Sequence, residues 1–287
     1  SRANRDRYSQ LFLARGGYLL PLVLLVLALL WVKSLAIDVD RHNQYLAHLR
    51  QIQTLDARID RNVLQVRDGL LTYYDPIVND LAQIKRLQTD LQRTPSFVDA
   101  ASRQELDLLL QKQSDLWQQK EESIFKFQSQ NAVLINSIAY FPIAIADITA
   151  KNTTSPALKE RLNTLLRDIL LFNLSTEKTL IPQIQREIAQ ISTDATPTTE
   201  GTTIKMALTH AQIILNKRDR VNDSVKLMME LPTAPSSENL AITYNQRYQA
   251  AIDTTNNYRL WFYLLSILLL VGIATWILVR GKRIIVP

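Results

Sequence analysis

Two runs of about 20 apolar residues, 18–37 and 260–279, constrain this chain more than any other feature. A helix needs about 20 apolar residues to cross the hydrocarbon core of a bilayer, and each run is that long. The first carries a single charge, Lys33, near its far end, where a lysine stem can snorkel to the interface. The second carries none. Trp31, Trp261, Tyr263 and Trp276 lie near the edges, where interfacial aromatics collect. The reading is two transmembrane helices, at 18–37 and 259–279. A cleaved signal peptide is the alternative for the first, but Lys33-Ser34-Leu35-Ala36 is a weak cleavage site.

Charge orients the spans. The net charge is +6, yet nine of the 33 basic residues and one of the 27 acidic residues lie outside 38–258, leaving that segment at −2. The excess flanks the spans, as membrane topology requires, and argues against a nucleic-acid partner. The expected arrangement is a basic cytoplasmic tail at 1–17, an extracytoplasmic domain at 38–258, and the cytoplasmic start of an output linker at 280–287. In a Gram-negative cell this puts 38–258 in the periplasm and the spans in the inner membrane. The chain has no cysteine, so disulfides play no part, and His42, His48 and His210 lack metal-site spacing. No metal or cofactor is expected.

The segment 38–258 reads as all-α. It holds only two glycines, Gly69 and Gly201, too few for the turns of a β-rich domain. Apolar residues recur at helical spacing in Ile52, Leu55, Ile59, Val63, Val66 and Leu70. The same holds for Leu106, Leu110 and Trp117, and for Ile204, Leu208, Ala211 and Leu215. Proline is expected to end or kink helices, with corners at Asp75-Pro76, at Thr94-Pro95-Ser96 (Ser96 as N-cap), at 152–156 and at 232–237. The stretch 192–203 reads as a polar loop. The first helix needs no break before residue 73, and the last runs from about Glu238 through Leu260 into the second span.

Residues 66–74 and 166–174 match at Arg67/Arg167, Asp68/Asp168, Leu70/Leu170 and Leu71/Leu171. A looser echo pairs 136–138 with 223–225. These matches suggest a duplicated module, divided roughly into 38–150 and 151–258. Asn136, Ser137 and Tyr140 share one helical face, and such polar groups need partners when buried. With Asn131 they are candidates for contact with a small polar ligand, the alternative being an internal network. Arg67 and Arg167 are candidates to hold a carboxylate. Adjacent side chains point apart on a helix, which leaves each arginine free to serve the core side or solvent, the alternative being a salt bridge or a solvated face. Tyr74 stands at the corner beside them. No catalytic motif is present.

Two stretches carry a family resemblance. Arg67 leads to Tyr74-Asp75-Pro76. Phe127 to Asn131 is followed by Leu134, Asn136-Ser137 and Tyr140-Phe141-Pro142. Together they resemble the DAHL (double all-helical ligand-binding) domains found in bacterial sensor histidine kinases and related receptors. Gln128 stands where lysine is expected. The resemblance implies two stacked antiparallel helical bundle modules acting as the sensing region of a two-component sensor histidine kinase, simple or hybrid. It also implies a homodimer, a small polar ligand or periplasmic binding protein as partner, and a response regulator reached through kinase domains after residue 287. The alternatives are a chemotaxis-type receptor input, and a structural membrane protein such as a polysaccharide chain-length regulator, which adds strands near the membrane.

Overall fold

The computed structural model describes residues 20–175, 177–194 and 199–285, the side chains of 199–200 and 279–285 excepted. The proposed tail at 1–17 lies outside them. Among the described residues the fold is all-α, without strands. Helix α1 covers 20–34. It is followed by α2 (Val39–Arg67), α3 (Asp75–Leu91), α4 (Ala100–Ala150) and α5 (Pro156–Ser175). A 3-10 turn (Lys178–Leu180) then leads into α6 (Ile181–Asp194), α7 (Thr199–Glu230) and α8 (Thr233–Ile285).

Local chemistry sets the helix ends, and several differ from the proline-based expectation. The chain does not run unbroken from the first span to residue 73. It leaves the helix at 35–38, and α2 restarts after Asp38, whose carboxylate accepts from the Arg41 amide at 3.0 Å. That carboxylate gives the new helix an N-cap. At its other end α2 stops at Arg67, well before Pro76. Gly69 adopts φ 73°, the Leu70 amide donates to the Gln65 carbonyl at 2.8 Å and the Gly69 amide to Val66 at 3.2 Å. These are the two bonds of a Schellman motif, which glycine terminates without steric cost. Asp75-Pro76 therefore begins a helix. Asp99, not Ser96, caps α4, accepting from the Ser102 amide at 2.9 Å and hydroxyl at 2.6 Å.

Pro142 lies inside α4 without ending it. It forfeits one intrahelical bond, but Leu134, Phe141, Ala144, Ile145 and Ile148 around it are buried and hold the helix by packing. The loop at 192–203 is mostly helix: α6 reaches Asp194, α7 starts at Thr199, and 195–198 lie outside the described residues. The last corner shrinks to Leu231 and Pro232, and Pro235 sits in the first turn of α8, where no amide donor is needed. As expected, α8 continues through Leu260 into the apolar run.

The chain forms two compact units. Among the described residues, one comprises those within 20–53, 87–111 and 235–285; the other comprises those within 54–86 and 112–234. Neither corresponds to a cut at residue 150, because α2, α3 and α4 each contribute residues to both. The first unit buries Leu49, Leu91, Leu106 and Leu240 with an aromatic cluster. The rings of His42 and Tyr248 stack at 3.4 Å, and His42 Nδ1 lies 3.1 Å from the buried Tyr244 hydroxyl. Burial pushes the Tyr45 phenol, stacked on Tyr244, up to about 12. The second unit buries Ile59, Val63, Ile84, Phe127, Phe172 and Ile188.

Three helical stretches, within Leu20–Arg67, Ala100–Ala150 and Gly201–Leu278, are long and apolar enough to cross a membrane. Burial separates them. In the most apolar windows of the first and third, 6% and 0% of residues are buried, against 33% in the second, which supplies core residues of α4. The first and third correspond to α1 and the end of α8, where Leu20, Leu25, Leu29, Leu260, Leu268 and Leu278 are exposed. An apolar surface of that extent suits lipid better than water. Trp31 packs on Phe262 at 5.3 Å, and Arg259 Nε donates at 3.1 Å to the Ser34 carbonyl, left free by the end of α1.

Candidate ligand-binding site

The second unit holds a cavity of about 490 Å³, within the range of about 300–1,000 Å³ typical of small-molecule sites. Four helices and a loop line it. Arg67 closes α2, and the loop after it adds Asp68, Gly69 and Leu71. Helix α4 contributes Asn131, Leu134, Ile135 and Ile138, spaced three, one and three residues apart, so that a single stripe faces the space. Helix α5 adds Asn173 and Leu174, and α7 adds Arg218.

The polar groups fall into two kinds. Arg67 is satisfied: its Nε and a terminal nitrogen donate to the two Asp68 oxygens at 2.8 and 3.1 Å. The hydrogen bond from Arg67 holds the Asp68 carboxyl below its usual range, with the Arg67 and Arg218 charges acting in the same sense. Arg218 is different. Burial, and then the Arg67 charge, lower the pKa of its guanidinium, with the Asp68 charge opposing the shift, and its buried Nε has no hydrogen-bond partner. The buried Oδ1 atoms of Asn131 and Asn173 also lack partners. The Asn131 amide nitrogen donates at 3.1 Å to the Tyr74 hydroxyl, and the Tyr74 ring stands edge-on to Phe127.

Sequence-chosen residues divide accordingly. Arg67, Asn131 and, through its bond to Asn131, Tyr74 belong to this cavity. Ser137 and Tyr140 instead join α4 to α7. The Ser137 hydroxyl lies 3.1 Å from His210 Nδ1 and donates to the Val133 carbonyl, and the Tyr140 ring contacts the His210 ring at 4.4 Å. Asn136 is exposed, so the three do not form one buried face. Arg167 is not free of its neighbour: its Nε donates at 2.9 Å to the buried Asp168, and its side chain is 69% exposed. Both arginines fold back on the following aspartate because a long guanidinium stem bends around to an adjacent carboxylate.

Sequence reasoning missed Arg218 and Asn173. Arg218 sits in a charged run that reads as a solvated face. Asn173 had a signal: it lies in the second copy of the nine-residue match, and both copies line this cavity. A buried ion cluster was also missed. Lys120, 1% exposed, pairs with the buried Asp56, lies 2.6 Å from Asp60 and 3.4 Å from the Thr233 hydroxyl, and stands over the Trp117 ring. Burial raises the Asp60 carboxyl above its ordinary range, with the Lys120 charge opposing the shift.

A family model for the DAHL domain matches residues 37–259. The chain belongs to the DAHL domain family. DAHL domains are non-catalytic sensor domains typical of histidine kinases. No solved structure matches the chain. In this DAHL domain, the cavity brings together three buried polar atoms without hydrogen-bond partners, from Asn131, Asn173 and Arg218.

Proposed function

We propose that this chain is the ligand-sensing and transmembrane signalling region of a bacterial sensor histidine kinase, with 38–258 in the periplasm and both spans in the inner membrane. The observation that carries the reading is the DAHL match across 37–259, bounded on each side by an exposed apolar helix. The cavity lined by Arg67, Asn131, Asn173 and Arg218 is the sensing site. A small polar ligand, free or delivered by a periplasmic binding protein, stabilises one packing of the helices over another, and its differential affinity sets the size of the signal. Helix α8, unbroken from Thr233 into the apolar run, carries the displacement toward the membrane, while the break at 35–38 uncouples α1 from α2. The receptor works as a homodimer and passes phosphate to a response regulator through kinase domains beyond this region. The absence of strands among the described residues favours this reading over a polysaccharide chain-length regulator.

The chain lacks cysteine, so single introduced cysteines report topology cleanly. Cysteine at the exposed Asn216 is expected to react with a membrane-impermeant maleimide in cells with a permeabilised outer membrane. Cysteine at Ser9 is expected to react only after lysis. Labelling of Ser9→Cys in intact spheroplasts would overturn the orientation.

A further inference from the structure

We infer that the cavity binds a small organic monoanion with an apolar body, a monocarboxylate, whose charged end is held by Arg218. The inference rests on the sensing role proposed above and gives the ligand its chemical class. Charge comes first. Arg67 and Arg218 face one carboxylate, Asp68, and Asp68 is already held by two bonds from Arg67. One positive charge is left over, on the guanidinium whose buried Nε has no partner. A partly buried cation with a neighbouring like charge is unfavourable until an anion meets it, and guanidinium binds a carboxylate through two parallel bonds. A dianion would bring a second negative charge beside Asp68 with no further cation to offset it.

The remaining walls describe the rest of the ligand. Leu71, Leu134, Ile135, Ile138 and Leu174 give the cavity an apolar side that a bare inorganic anion would leave uncovered. Leu174 is 82% exposed, so a ligand carbon skeleton gains by covering it. Asn131 and Asn173 each bring an unpaired amide oxygen to the same space, and a side-chain amide can turn either end toward a ligand. They suit a polar group next to the carboxylate. The volume of about 490 Å³ accommodates a molecule larger than acetate.

The test uses the full chain in lipid nanodiscs and isothermal titration with phenylacetate, benzoate and N-acetyl-leucine. Their neutral amides and inorganic phosphate are the controls. At least one carboxylate is expected to bind, with its amide weaker by about tenfold or more and phosphate not binding. Arg218→Gln is expected to weaken the same carboxylate by about tenfold or more, with Arg218→Lys in between, because lysine keeps the charge and loses the planar fork. Arg167→Gln is expected to bind as the parent does. Circular dichroism melts of each variant show that it is folded, and the lysine variant carries the test if the glutamine variant unfolds. Amides binding as well as acids, parent-like binding by a folded Arg218 variant, or no binding by any carboxylate overturns the inference. Those outcomes leave the topology test above untouched, whereas failed topology would overturn the receptor reading and leave the binding measurement standing.

Discussion

Two groups of charges in the same unit contrast sharply. Around Lys120 the chain supplies the cation's partners: two carboxylates, a hydroxyl and an indole face surround the ammonium of a side chain that is 1% exposed, although Asp56 Oδ2 and the Trp117 indole nitrogen have no partner. Around Arg218 the chain stays open: the guanidinium Nε and two amide oxygens border a cavity without hydrogen-bond partners. Both sets are built from the ends and faces of long helices. A buried charge with all its partners in the chain fixes packing. A charge left without one keeps a site ready for something else.

Removing one member of the closed cluster has the largest expected effect. Lys120→Met leaves Asp56 and Asp60 without their cation and is expected to cost about 3–5 kcal/mol in urea unfolding of the detergent-solubilised chain. A cost below about 1 kcal/mol would show that the cluster is hydrated and the contrast false. Next is the loop that frames the cavity. Gly69→Ala meets no atom within 4 Å, but its φ of 73° costs an L-residue about 1–2 kcal/mol. A parent-like melting temperature would mean that the Schellman turn does not hold in solution.

The two sites also predict opposite pH responses. The folded-state pKa of Asp60 is raised, so its contribution is fully present below the unfolded carboxylate range and lost as pH rises through the raised value. That of Asp68 is lowered, so its contribution is present above the unfolded value and lost as pH falls through the depressed one. Urea midpoints from pH 3 to pH 7 are expected to lose the first component in Asp60→Asn and the second in Asp68→Asn. The same slope in both variants would erase the distinction. The smallest effect is expected from Arg218→Ala, within about 0.5 kcal/mol of the parent, since its Nε has no partner and only its charge attraction to Asp68 is given up. A loss of several kcal/mol would mean that Arg218 is a structural residue and would close the comparison.

Much of the core was legible beforehand. Ile52, Leu55, Ile59, Val63 and Val66, the stripe read at helical spacing, are all buried. Its last member, Leu70, is 79% exposed, because Gly69 had already turned the chain out of the helix. Proline marked three of the four expected corners, since 94–96, 152–155 and 231–232 lie outside helices. Pro142 was carried inside α4 by the packing around it, while Pro76 and Pro156 open helices. At the site, the sequence reached Arg67, Asn131 and Tyr74, but grouped Asn136 with Ser137 and Tyr140 on one face. A helix wheel shows which residues share a face, and it does not show where that face meets another helix.

By itself the sequence determined the all-helical class, the two apolar helices and the DAHL membership. Those follow from local period, length and composition, which a chain carries wherever its neighbours lie. Only the tertiary structure decided which polar residues meet. Asn131, Asn173 and Arg218 come from three helices far apart in the chain, and what each can bond to depends on burial and on the groups opposite. The same physics paired Lys120 with Asp56 across 64 residues and left the Nε of Arg218 without a hydrogen-bond partner.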